Sequence, residues 1–167
     1  MENLNELEIQ RRKNLESIRE MGIEPFPAAE FNVTNLSDEL LEKYDDDQKN
    51  FQEVTIAGRL MQKRIMGKAS FAEIMDSKGR IQVYLNRDEL CPDEDKGLYN
   101  DLFKKFMDIG DFVGFSGHMF KTQTGHTSLH ATSMTFLSKS VRPLPIVKTD
   151  AEGNVHDAFS DTELRYR

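Results

Sequence analysis

The chain has 167 residues, 38 % of them hydrophobic and 31 % charged, which fits one packed domain with an added segment. No run approaches the roughly 20 apolar residues of a membrane span, and the polar opening MENLNELEIQRRK has no apolar signal region. Cys91 is the only cysteine, so a disulfide framework and a cysteine-rich zinc site are excluded within one chain, and a reducing cytoplasm is the expected setting.

The net charge of −7 argues against a polyanionic partner until its distribution is considered. From Val54 to Arg142 there are 13 Lys+Arg against 10 Asp+Glu, while the flanks hold 9 basic and 19 acidic residues. Within Arg59–Gln82 the balance is 6 basic to 2 acidic. A basic strip on an acidic chain favours contact with RNA without indiscriminate binding to every polyanion.

In chain order, Leu4–Met21 predicts an amphipathic helix, with Leu4, Leu7, Ile9, Leu15, Ile18 and Met21 near the helical period and Gly22 as the stop. Arg11, Arg12 and Arg19, interspersed with Glu8, Glu16 and Glu20, read as its solvated face. Pro25 and Pro27 hold an extended connector. Ser37, followed by Asp38 and Glu39, reads as the N-cap of a short helix to about Tyr44.

The period then changes. Val54, Ile56, Gly58 and Leu60 alternate with smaller or polar residues, predicting a strand toward Arg64 with a bulge or bend at Gly58. Ser70–Met75 and Arg80–Leu85 follow as strands, joined by the hairpin signal Asp76-Ser77-Lys78-Gly79. Leu98, Leu102, Phe103 and Phe106 make Gly97–Met107 a helix. Asp111–Phe120 and Thr127–Leu137 are two further strands around the turn Thr122–Gly125, and Phe103, Phe106, Phe112, Phe115 and Phe120 read as core. Lys139–Val147, with Pro143 and Pro145, is an extended linker.

This order, β-β-β-α-β-β after an N-terminal helix, is that of the OB-fold, an all-β five-stranded barrel with added helices that binds single strands through its strand 2–3 face and adjoining loops. The expected division is a helical extension at 1–51, the barrel at 52–138 and a linker at 139–167. On alternation alone, Phe71 faces outward while Ala72 and Ile74 enter the barrel, and Gln82 is out of phase with Ile81 and Val83. An aromatic in a strand is more often core than ligand platform. Arg64 and Lys68, standing alone, are equally ordinary surface charges.

A longer pattern weighs on that choice. Arg64-Ile65-Met66-Gly67-Lys68-Ala69-Ser70-Phe71, then Gly79-Arg80-Ile81-Gln82-Val83-Tyr84 and Arg87-Asp88, closely resembles the anticodon-binding domain of class II lysyl-tRNA synthetases. Leu102-Phe103-Lys104-Lys105, Gly110-Asp111-Phe112-Val113-Gly114, Lys121-Thr122-Gln123-Thr124-Gly125 and Lys139-Ser140-Val141-Arg142-Pro143-Leu144-Pro145 extend the likeness over nearly the whole chain. The final Leu164-Arg165-Tyr166-Arg167 resembles the run ahead of that family's catalytic domain. The resemblance implies that Phe71 stacks on the central uridine of the lysine anticodon, that Gln82 hydrogen-bonds the same base, and that Arg64 contacts the anticodon loop. Lys68 joins them as a backbone contact. His126 stands where the family usually has a base-recognising Glu; a histidine there either hydrogen-bonds or stacks on a base, or the contact is lost.

The resemblance also implies a parent enzyme, a homodimer, that joins lysine to tRNA through lysyl-adenylate. ATP, lysine and magnesium would sit in a domain beyond this segment, leaving the segment itself without cofactor, inactive alone and monomeric, with lysine tRNA as partner. A free-standing OB module for single-stranded nucleic acid or protein partners is the alternative. An active site within these residues has no support: there is no nucleophile constellation or phosphate-binding glycine loop, and His118, His126, His130 and His156 lack metal-ligand spacing.

Overall fold

The computed structural model describes residues 4–145 and, as backbone, the short strands Lys148–Thr149 and Val155–His156. The run Leu164–Arg167 and most of the linker after residue 145 lie outside the described residues.

Helix α1 spans Glu6–Glu20 and opens with a reciprocal cap: Asn5 accepts from the Glu8 N–H at 2.9 Å, and the Glu8 carboxylate accepts from the Asn5 N–H at 3.0 Å. Its buried stripe is Arg11, Asn14, Leu15 and Ile18, a helical i, i+3, i+4, i+7 set. The expected apolar face is therefore only half right: Leu7 and Ile9 are 60 % and 43 % exposed. The expectation for Arg11 is also corrected. Its guanidinium turns inward and donates to the carbonyls of Ser140 (3.0 Å) and Ile109 (2.6 Å), which would otherwise be left without partners beneath the helix. Arg12 and Arg19 are exposed as expected.

Helix α2 spans Ser37–Lys43. Ser37 is its first turn rather than its cap, and both its N–H and its hydroxyl bind the Asp76 carboxylate at 2.7 Å. The barrel strands are β1 (Val54–Met66), β2 (Ala69–Met75), β3 (Arg80–Asn86), β4 (Phe112–Lys121) and β5 (Thr127–Ser138). Between β3 and β4 lie a short helix α3 (Arg87–Leu90), absent from the sequence reading, and α4 (Leu98–Phe106), wound with the wide π pitch.

The strands close in the order β1-β2-β3-β5-β4, with β4 returning to β1. Only the β3–β5 pair is parallel. Val54–Arg59 of β1 pair with β4, and from Arg59 onward the strand pairs with β2, so one long strand serves two neighbours. The register shift that accompanies this switch falls between Leu60 and Gln62, not at Gly58. Gly58 has a different reason: a Cβ there would stand 2.6 Å from the Met75 carbonyl oxygen, where β2 crosses β1.

Alternate residues fill the barrel: Ile56 and Leu60, Ala72 and Ile74, Ile81, Val83 and Leu85, Val113 and Phe115, Leu129 and Ala131. Helix α4 adds Tyr99, Leu102 and Phe103. Phe103 and Phe115 are core as expected, Phe106 and Phe120 only partly, and Phe112 not at all. Phe112 precedes the inward Val113, so it points out, 38 % exposed, with the Arg59 guanidinium 4.4 Å over its ring.

The N-terminal segment belongs to the same core. Ile18 and Leu40 are fully buried within the barrel cluster. Phe31 lies so close on the β4 backbone that a Cβ at Gly114 would be 2.3 Å from its ring. Lys139, placed in the linker by sequence, is buried: its ammonium binds Asp108 and Asp111 (2.7 Å to the latter), and its N–H donates to Pro25.

Candidate nucleic-acid interface

Strand pairing sets the outer face of β1–β3. Phe71 is the direct partner of Arg64 on β1 and of Tyr84 on β3. One row along, Glu73 faces Gln62 and Gln82, and Gln82 faces Ser128 of β5. Because Ala72, Ile81 and Val83 are buried, these partners must point outward.

The result is a groove of about 350 Å³ lined by Gln62, Arg64, Phe71, Glu73, Arg80, Gln82, His126 and Thr127, with Leu41 of α2 on its rim. Four of the five residues singled out by sequence are thus gathered in one place. Lys68 is not among them. It is exposed in the β1–β2 turn, and its ammonium stands 3.9 Å from Asp88.

The chemistry of the groove suits a planar, hydrogen-bonding ligand. Phe71 is half-buried, held from the side by Tyr84 with ring centroids 5.3 Å apart and planes inclined at 57°. The Gln82 side-chain oxygen accepts from the Ser128 hydroxyl at 3.2 Å, which aims its amide N–H2 away from β5. Arg80 pairs with Glu73 at 2.8 Å, neutralising that carboxylate and leaving Arg64 as an exposed cation. His126 stands exposed at the end of the β4–β5 turn, its N–H donating to the Thr122 hydroxyl at 3.0 Å.

The basic strip expected over Arg59–Gln82 does not form one surface. Arg59 donates to the Gly110 carbonyl and covers Phe112. Lys63 donates to the carbonyls of Phe103, Lys104 and Met107, capping the end of α4. Burial there lowers the Lys63 pKa, against the nearby charges of Asp108 and Asp111. The sequence counted both as surface charge because long side chains carry no sign of which way they turn.

Tyr84, Leu41 and Arg80 were missed. Tyr84 carried a signal, being the aromatic in register with Phe71 on the next strand; Leu41 had none, since its place depends on how α2 docks. Beyond the groove, His118 stacks near His130 with centroids 4.8 Å apart, and burial followed by the neighbouring imidazole lowers its pKa. Among the described residues, no group of three or more His, Cys, Asp or Glu is placed to hold a metal ion, and no helix is long and apolar enough to cross a membrane.

A closed five-stranded barrel with an aromatic, an amide and an arginine on the outer face of its first three strands is the arrangement with which OB-fold barrels hold single strands. The match to known proteins agrees: residues 54–137 fit the anti-codon OB-fold nucleic acid binding domain family, and the chain belongs to it. It is similar along its whole length to proteins described as lysine–tRNA ligases. The identity is 51 % over 98 % of the chain for one from Porphyromonas gingivalis, 53 % over 100 % for Christiangramia forsetii and 52 % over 98 % for Azobacteroides pseudotrichonymphae. The chain spans 28 %, 29 % and 32 % of those relatives' own lengths.

Proposed function

We propose that this chain is the anticodon-reading part of a lysine–tRNA ligase. The observation that carries the proposal is the convergence of Phe71, Gln82, Arg64 and His126 on one groove. A base stacks on Phe71. The Gln82 amide, oriented by Ser128, offers N–H to the O4 of uracil, where cytosine would present a second donor; its oxygen keeps a lone pair for uracil N3–H. Arg64 neutralises the adjoining backbone, His126 meets a neighbouring base, and Lys68 makes a sequence-independent phosphate contact.

In this reading residues 52–138 form the reading barrel, 1–51 are its N-terminal extension, and 139–167 lead toward a catalytic domain. That domain would hold ATP, magnesium and lysine and transfer the lysyl group, in a homodimeric cytoplasmic enzyme. This segment supplies tRNA selection and needs no cofactor of its own. The similarity to lysine–tRNA ligases over 98 % or more of the chain supports the choice of amino acid.

Titration of the chain with two RNA stem-loops tests it, one with a lysine anticodon and one with cytidine at its centre. Tighter binding of the uridine loop by about tenfold, the worth of a well-placed hydrogen-bond pair, is expected. Equal affinity at the same salt would refute lysine-anticodon reading.

A further inference from the structure

Phe71 does not stand alone on the barrel wall. The rows Phe71–Tyr84–His130–His118 are register partners across β2, β3, β5 and β4, and their rings touch in sequence. Tyr84 lies at the centre, with centroids 5.3 Å from Phe71, 5.9 Å from Phe120 and 4.9 Å from His130, the last nearly perpendicular at 80°. His130 is in turn fixed by the Glu89 carboxylate at 2.5 Å from Nε2, and flanked by His118 and Phe120.

Glu89 belongs to α3, which is itself anchored. The Asn86 side chain accepts from the Asp88 N–H at 2.9 Å, and the Arg87 N–H donates to the Lys68 carbonyl at 2.8 Å, tying α3 to the β1–β2 turn. Glu89 does not line the groove. Its contact path to the Phe71 ring runs through His130 and Tyr84.

A half-exposed phenylalanine on a strand has freedom about two torsions, and a stacking partner gains most when the ring already holds the bound tilt. We propose that Glu89 and His130 are positioning residues for base stacking: they clamp Tyr84, and Tyr84 sets the plane of Phe71. The inference rests on the reading of Phe71 as the base platform. It adds a control point about which that reading is silent, in a helix outside the RNA surface.

The test is a double-mutant cycle in the full chain, read by titration with the lysine-anticodon stem-loop at fixed salt, with thermal unfolding alongside. Glu89→Ala should weaken binding about threefold, the scale of one edge-to-face aromatic contact. In a Phe71→Ala background it should add nothing, because there is no ring left to position. Tyr84→Leu should weaken binding similarly, and Tyr84→Phe should restore it, since the ring and not the hydroxyl makes the contacts. Glu89→Gln, which keeps a neutral hydrogen bond to His130, should fall between wild type and Glu89→Ala. An equal loss from Glu89→Ala in both backgrounds, or no loss in wild type while Phe71→Ala does lose affinity, overturns the positioning role. If Phe71→Ala itself costs nothing, it is the base-platform reading that has failed, and the inference falls with it.

Discussion

The Asp76 carboxylate, in the β2–β3 turn, receives both the N–H and the hydroxyl of Ser37 at 2.7 Å, joining the start of α2 to the β2–β3 hairpin. It also accepts from the N–H groups of Lys78 (2.8 Å) and Gly79 (3.0 Å). Burial opposes its charge, yet these hydrogen bonds outweigh burial and hold its pKa below the ordinary carboxylate value. A depressed folded-state pKa contributes stability that is present above the unfolded value of about 3.9 and lost as pH falls through the folded one. Asp76→Asn should therefore cost about 1–3 kcal/mol at pH 7, because an amide oxygen cannot serve four donors. The gap to wild type should narrow as pH falls below the unfolded value of about 3.9 and the wild-type carboxyl protonates. Urea unfolding at pH 7 and in acid checks this; a gap that stays constant into acid would show that the Asp76 charge does not hold the turn.

Burial of Ile18 and Leu40 in the barrel core makes the N-terminal segment a stabilising layer. A chain of residues 52–140 should still unfold cooperatively, since it keeps all five strands, but with a lower midpoint. Ile18→Ala in the full chain should cost about 2–5 kcal/mol. Calorimetry of the three proteins decides: equal midpoints would mean the layer contributes nothing, and no transition in 52–140 would mean the barrel cannot stand without it.

The outward pair Phe71 and Gln82 was legible in the sequence because strand alternation has period two, and one buried neighbour fixes the direction of the next side chain. Helix α1 was legible as a helix but not as a contact: Arg11 and Asn14 occupy its buried stripe because carbonyls at Ile109 and Ser140 and the Asp108 carboxylate lie beneath them. Those groups come from loops about a hundred residues away, and no local pattern announces them. Lys63 and Lys139 were misplaced for the same reason. The strand switch at Leu60–Gln62 was assigned to Gly58, the nearest glycine, because a bulge leaves no composition mark of its own. Helix α3 is four residues long, below the length at which periodicity speaks.

Lys139 anchors a buried charge cluster. Its side chain is wholly buried between Asp108 and Asp111, and burial raises the Asp111 pKa against the pull of that ammonium. Lys139→Met should cost about 3–5 kcal/mol by leaving buried carboxylate without its cation. Adding Asp111→Leu should recover part of the loss. Chemical denaturation of the single and double variants measures both; a double variant no better than the single would show that packing rather than charge holds the site.

The two polar contacts should separate by their signatures. Lys68→Ala should weaken binding of every loop sequence alike and lower the salt-dependence slope by about one, as for a phosphate contact. Gln82→Ala should weaken the uridine loop by about tenfold and leave the cytidine loop nearly unchanged, erasing the preference at the centre. Titration at two salt concentrations with both loops distinguishes them. Sequence-selective loss at Lys68 would exchange the assignments.

Whether a base stacks on Phe71 is decided by titrating Phe71→Ala with the lysine-anticodon stem-loop, paired with thermal unfolding. Base–aromatic stacking contributes about 1–3 kcal/mol, so affinity should fall roughly tenfold or more while the half-buried ring's removal leaves the barrel folded. Unchanged affinity, or a loss of several kcal/mol of stability typical of a buried phenylalanine, would make Phe71 a core residue and not a base platform.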